Sequence, residues 1–194
     1  MTEKAKLNRL SFGYFWNVFL LAAFPIHVWN LLMIFKDLEF VTERSDSWGA
    51  IGYAGYSLMV ALAESLMAAV LLWAISLLLP RKWTQQRTLA SLFSVYFVLA
   101  GASAVDMAAN AFNEYRISKQ YLYGLEHFTT LTYALIAGAM LLVIAALLLV
   151  IFKTKKGESG IAEFFSRLTM LSYLYLVLDA AGIVIVIIRN FTPA

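Results

Sequence analysis

The sequence predicts an all-α integral membrane protein, a single domain built as a bundle of five transmembrane helices. Two observations support this fold class. Of the 194 residues, 62% are hydrophobic and only 14% are charged, whereas soluble domains are nearer half apolar and a quarter charged. The apolar residues also form five separate runs, each long enough for a helix to cross the hydrocarbon core of a bilayer.

The five predicted spans are joined by short polar segments. They cover about residues 11–35, 53–79, 88–112, 127–152 and 165–188. Pro25 lies inside the first span, where its missing N–H predicts a kink just before His27. The second span ends at residues 80–83 (Pro-Arg-Lys-Trp), which combine a helix stop with basic and aromatic interface anchors.

Two connections are expected to be loops. Residues 36–50 predict a polar loop that holds at most a short interfacial helix, and residues 153–160 predict a flexible basic loop. Gly49, Gly52 and Gly55 recur at every third residue, but no strand precedes them. We interpret them as the end of a loop and the start of a helix, not as a phosphate-binding motif.

The distribution of Lys and Arg predicts a cytoplasmic N-terminus and a C-terminus outside. Ten of these residues flank one side of the predicted spans: Lys4, Lys6, Arg9, Arg81, Lys82, Arg87, Lys153, Lys155, Lys156 and Arg167. The other five flank the opposite side: Lys36, Arg44, Arg116, Lys119 and Arg189. Because short cytoplasmic loops carry the excess of positive charge, the first set is cytoplasmic. A bacterial inner membrane is the expected location.

The third span carries an acidic residue among many small ones. Asp106 is preceded by Ser103 at three residues and followed by Asn110 at four, so the three share one helical face. A carboxyl group at this depth is costly and rarely faces lipid. We therefore place Asp106 at the centre of a predicted functional site.

Other ionisable residues fall in the same outer half of the predicted bundle. Glu64, Asp179 and His27 lie inside the second, fifth and first spans, and His127 lies at the outer rim of the fourth. Tyr175 belongs to a polar stripe of the fifth span with Ser172, Asp179 and Gly182. This pattern predicts one outward-opening polar pocket.

Each of these residues also has a purely structural interpretation. A single acid can hydrogen-bond a neighbouring helix, and His27 can satisfy a backbone carbonyl near Leu21 that Pro25 leaves free. Arg189 is expected to anchor a helix end, and it would pair with Asp179 only if that end bends.

The favoured functional hypothesis is binding or transport of a cation, a proton or a small polar solute. The interiors of the predicted spans hold three acids and no Lys or Arg at a similar depth to neutralise them, since Arg167 lies at the cytoplasmic end of its span. Unpaired buried carboxylates take up a proton or a cation. The proposed binding residues are Asp106, Asn110, Ser103, Glu64, Asp179, His27 and Tyr175.

Two alternatives stay open. The chain is alternatively a non-catalytic membrane subunit of a larger complex or, less favoured, a metal-dependent intramembrane lipid hydrolase or transferase. The metal ligands would be His27, His127, Glu64 and Asp106, but no His-Glu-x-x-His motif is present. We assign no catalytic residue, lean against an enzyme and predict no cofactor.

Composition also limits the partners. The absence of cysteine excludes disulfides and thiol catalysis, and the lack of a Lys/Arg-rich face argues against nucleic acid. The expected partners are the lipid bilayer and, as a further hypothesis, other membrane subunits or a second copy of the chain.

Overall fold

The computed structural model of the chain describes residues 9–113 and 126–191, except for the side chains at positions 105, 106, 108–113 and 126–132. The described part is all-helical. Its helices are α1 (Phe12–Arg44), α2 (Ser47–Leu78), α3 (Gln85–Asn113), α4 (Glu126–Lys153) and α5 (Lys155–Phe191). All five are long and apolar enough to cross a membrane. Helices of 28 to 37 residues are longer than the roughly 20 residues that one membrane span requires.

The predicted loop at residues 36–50 is wrong, because helix replaces most of it. α1 continues to Arg44, and only Ser45 and Asp46 separate it from α2. The backbone N–H of Ser45 still bonds the carbonyl of Val41, and the Asp46 carboxylate caps α2 by accepting from the N–H of Gly49 at 2.7 Å. The charged residues after position 35 mark where the chain leaves the apolar layer, not where its helix ends.

The predicted basic loop at residues 153–160 is also helical. Thr154 alone separates α4 from α5. Its hydroxyl accepts a hydrogen bond from the N–H of Gly157 at 3.1 Å, the arrangement of an N-cap. Glu158 in the first turn of α5 suits the positive end of the helix dipole.

The core of the bundle is formed by α1, α2, α3 and α5. α1 contributes Val18, Leu20 and Ala22, which are almost fully buried. α3 packs on α1 and α5 through aromatic side chains, among them Phe93, which is fully buried. α4 lies outermost, with only 6% of its apolar span buried in the described structure.

Glycines allow α2 and α5 to approach closely. A Cβ on Gly182 would lie 3.1 Å from the Gly55 carbonyl and 3.0 Å from the Leu58 Cβ. Gly52 leaves room for the Arg189 side chain, whose guanidinium donates to the carbonyl of Trp48 at 2.7 Å. Arg189 therefore anchors its helix end against α2, as expected, and does not pair with Asp179.

Arg9 holds the opposite end of the bundle together. Its guanidinium is buried and donates to the carbonyls of Leu79 at 2.7 Å and Pro80 at 2.8 Å, and to that of Ser76. It also reaches the Thr88 hydroxyl at 3.2 Å. The last turn of α2 has no basic residue of its own, so Arg9 supplies the positive charge that stabilises the carboxyl end of a helix.

Candidate functional site

A buried histidine–aspartate pair joins α1 to α5. The Nε2 atom of His27 lies 2.9 Å from Oδ1 and 3.0 Å from Oδ2 of Asp179. Both residues are almost fully buried, with 0% and 2% of their surfaces exposed. Two of the predicted site residues thus meet each other directly.

The second nitrogen of His27 fixes the number of protons in the pair. Nδ1 lies 2.9 Å from the carbonyl oxygen of Ala23, which can only accept, so Nδ1 carries a hydrogen. One more hydrogen must lie between Nε2 and Asp179, because two acceptors would repel each other. The pair is either imidazolium with carboxylate or imidazole with carboxylic acid, and in both forms it is neutral overall. A neutral pair that satisfies its hydrogen bonds is tolerable in an apolar core.

Ser65 and Tyr175 complete the surroundings of the imidazole. The Ser65 hydroxyl donates to the Ala61 carbonyl at 2.6 Å and lies 3.4 Å from Nδ1 of His27. The Tyr175 ring stacks on the imidazole, with centroids 5.3 Å apart and planes 12° apart. Helices α1, α2 and α5 therefore meet at His27.

The backbone around Pro25 receives side-chain hydrogen bonds from three helices. The Ser172 hydroxyl of α5 donates to the Leu20 carbonyl at 2.6 Å, and the Tyr96 hydroxyl of α3 donates to the Ala22 carbonyl at 2.9 Å. His27 itself bonds Ala23, not Leu21. These donors bond carbonyls on either side of Leu21, whose own carbonyl loses its helical N–H donor at Pro25.

A groove of about 520 Å³ lies between α1, α2 and α3. Its polar lining residues are Asn30, Glu64 and Ser103, one from each helix. The Asn30 amide donates to the Ser57 carbonyl at 3.0 Å, which leaves its side-chain oxygen for other contacts. The rest of the lining is apolar and aromatic.

Glu64 lies near the middle of α2 and is exposed in this groove. Among the side chains that the structure describes, none forms a hydrogen bond or an ion pair with its carboxylate. Its neighbour Ser65 is fully buried and contacts His27. Adjacent residues of a helix point about 100° apart, which is why one lines the groove and the other the core.

The structure distributes the predicted site residues over two places. His27, Asp179 and Tyr175 form the buried cluster, whereas Glu64 and Ser103 line the groove. The side chains of Asp106, Asn110 and His127 lie outside the described residues. Among the side chains that are described, no three of His, Cys, Asp or Glu could hold a metal ion together. With Asp106 and His127 outside that set, metal binding stays a prediction.

Sequence reasoning missed two of the donors around Pro25 and His27. The sequence indicates Glu64 as a site residue and gives no signal for the adjacent Ser65. Tyr96 lies in an apolar run, where nothing in the sequence distinguishes it from its neighbours. Ser172 was found, through the three- and four-residue spacing that it shares with Tyr175 and Asp179.

A second cavity, of about 370 Å³, lies nearer the Arg9 end between α1, α3 and α5. Its lining includes Asn17, Gln85 and Thr169, which are polar but uncharged, together with Phe165. The Phe165 ring packs on that of Phe97, a groove residue, with centroids 5.3 Å apart. Each ring of this contact therefore lines one of the two cavities.

No protein-family model, curated protein or solved structure matches this chain.

Proposed function

We propose that this multi-pass membrane protein binds a cation in the groove between α1, α2 and α3, with Glu64 supplying the charge. The single observation that carries the proposal is the Glu64 carboxylate, which is exposed in a cavity at mid-helix and has no partner in the described part of the chain. Asn30 and Ser103 add an amide oxygen and a hydroxyl. Asp106, which follows the groove residue Ser103 by three positions in α3, is proposed as a further acid of the same site.

Electrostatics supports a cationic ligand. A carboxylate at the centre of a membrane helix costs about 2.5–3.5 kcal/mol on insertion scales. A proton or a bound cation removes this cost, and among the residues lining the groove no Lys or Arg does so. The groove is therefore most stable when a positive charge occupies it.

The buried pair has a different role in this proposal. His27 and Asp179 already satisfy each other and are closed off from the surface, so neither is free to bind a solute. We assign them to positioning: they fix α1 against α5 and so set one wall of the groove.

The proposed orientation follows from charge. Arg9, Arg87 and Lys153 lie at one end of the bundle, and by the positive-inside rule we propose that this end is cytoplasmic. A bacterial inner membrane would suit such a protein. The groove then belongs to the centre and the outer half of the membrane.

Transport is a second candidate, which the two cavities favour. The polar cavity lies on the proposed cytoplasmic side of the groove, and Phe165 of that cavity packs on Phe97 of the groove. Rotation of these two side chains would join the cavities into one path. Uptake of a bound cation into proteoliposomes would separate transport from binding.

The test compares Glu64→Gln with the wild type. Thermal unfolding of the purified protein in detergent is followed with chlorides of increasing cation size: sodium, methylammonium, tetraethylammonium and tetraphenylphosphonium. At about ten times its Kd a bound cation raises the Tm by about 3–6 °C. We expect such a shift for at least one cation with the wild type and none with Glu64→Gln.

The matched control is Glu39→Gln, which removes an exposed acid of α1 outside the groove. This variant should keep the wild-type shift. If every cation shifts Glu64→Gln and the wild type alike, the proposal is wrong.

A further inference from the structure

The groove is lined mainly by apolar and aromatic side chains. Phe24, Trp29 and Phe97 contribute rings, and residues such as Met33 and Val60 contribute aliphatic and thioether surface. Such a lining gains little from a hydrated ion, because it offers no replacement for the water that the ion must give up. It gains from a ligand that carries apolar surface of its own.

The described oxygen donors are too few for an inorganic cation. Glu64, Asn30 and Ser103 offer a carboxylate, an amide oxygen and a hydroxyl, whereas hard cations such as calcium require six to eight oxygen ligands. An organic cation requires no coordination shell. One carboxylate balances its charge, and aromatic faces add cation–π attraction within about 6 Å.

The size of the groove agrees with a small organic molecule. Its volume of about 520 Å³ falls within the range of about 300–1,000 Å³ that is typical of ligand pockets. A metal ion or a single ammonium group would leave most of this space without contacts. A ligand with several rings or a branched hydrocarbon body would fill it.

Resting on the proposed function, we infer that the ligand is an amphiphilic organic monocation, with one positive group on a bulky apolar body. Glu64 pairs with the charge, and the rings of Phe24, Trp29 and Phe97 contact the apolar body. The Glu64 carboxylate selects a positively charged ligand, and the apolar lining selects a bulky one.

Tetraphenylphosphonium is a suitable probe, because its charge is permanent and its body is apolar. Its binding to the detergent-solubilised protein is measured by equilibrium dialysis, beside methylammonium and tetraphenylborate. Tetraphenylborate has the same shape with the opposite charge. We expect tetraphenylphosphonium to bind more tightly than methylammonium and to lose about 10–100-fold in affinity in Glu64→Gln, the effect of removing a charged partner.

Two variants serve as controls. Glu39→Gln should bind tetraphenylphosphonium like the wild type. Ala100→Phe fills part of the groove from α3 and should weaken tetraphenylphosphonium more than methylammonium.

Three outcomes overturn the inference. Equal binding of tetraphenylphosphonium and tetraphenylborate would show simple partition into apolar surface. An unchanged affinity for tetraphenylphosphonium in Glu64→Gln would show that Glu64 does not pair with the charge of the ligand. Glu64-dependent stabilisation by sodium or methylammonium, without any by tetraphenylphosphonium, would leave the proposed function intact and end this inference alone.

Discussion

At the scale of single residues, polar groups inside this bundle follow two different rules. His27 and Asp179 are neutral as a pair and fully hydrogen-bonded, so their burial is compatible with an apolar core. Glu64 has no hydrogen-bond or ion-pair partner among the described residues and lies at the surface of a groove. Satisfied polar groups specify how helices pack, whereas an unsatisfied one indicates a place for a ligand.

The number of protons in the buried pair predicts that Asp179→Ala lowers the free energy of unfolding more than Asp179→Asn does. Asp179→Ala leaves Nε2 of His27 buried without a partner and should cost about 3–5 kcal/mol of unfolding free energy. Asp179→Asn should cost only about 1–2 kcal/mol, because the Asn amide can donate to Nε2 while Nδ1 still donates to Ala23.

Denaturant unfolding in mixed micelles measures both changes, and Glu163→Ala, at an exposed acid of the same helix, serves as the control. Equal losses for the Asn and Ala variants would contradict the assignment of the hydrogen to Nδ1.

At the scale of helices, contact between α2 and α5 depends on the absence of side chains. Gly55 and Gly182 face each other, and a Cβ on either would lie 3.1–3.4 Å from the carbonyl oxygen of the other. In a membrane no water is released when helices associate, so van der Waals contact between small residues stabilises the packing. This contact places the α5 face that carries Asp179 against α1 and α2.

Gly182→Ala should therefore destabilise the bundle by about 1–3 kcal/mol, the usual cost of overpacking. Gly160 provides a matched control, because it lies in the same helix and a Cβ there has nothing within 4 Å. Gly160→Ala should be neutral or stabilise by up to about 1 kcal/mol through helix propensity. Thermal unfolding in detergent measures both, and equal effects at the two positions would exclude a packing role for Gly182.

At the scale of the whole molecule, the described helices divide into a packed core and an outer layer. α1, α2, α3 and α5 all contribute side chains to the hydrophobic core, and Arg9 at one end and Arg189 at the other hold helix ends together. α4 lies outside this core, and the groove forms where α3 meets α1 and α2. All three walls of the candidate site therefore come from helices of the core.

The proposed orientation predicts which positions a membrane-impermeant maleimide reaches in intact cells. The chain contains no cysteine, so the maleimide can label this protein only at a cysteine that is introduced. Glu43→Cys, near the end of α1, should react from outside, and Lys82→Cys, between α2 and α3, should react only after the membrane is opened. The reverse pattern would place the N-terminus outside.

The sequence by itself determined that the chain forms five long apolar helices and roughly where each one lies, because hydropathy is a local property that adds up along the chain. It did not determine where α1 ends or where α2 and α5 begin, since helices continue past the apolar layer wherever caps such as Asp46 and Thr154 permit it. Only the tertiary structure decided which polar residues meet. The rotation of α2 about its axis turns Ser65 toward the core and Glu64 toward the groove. That rotation depends on contacts between residues far apart in sequence, such as Gly55 with Gly182 and His27 with Asp179.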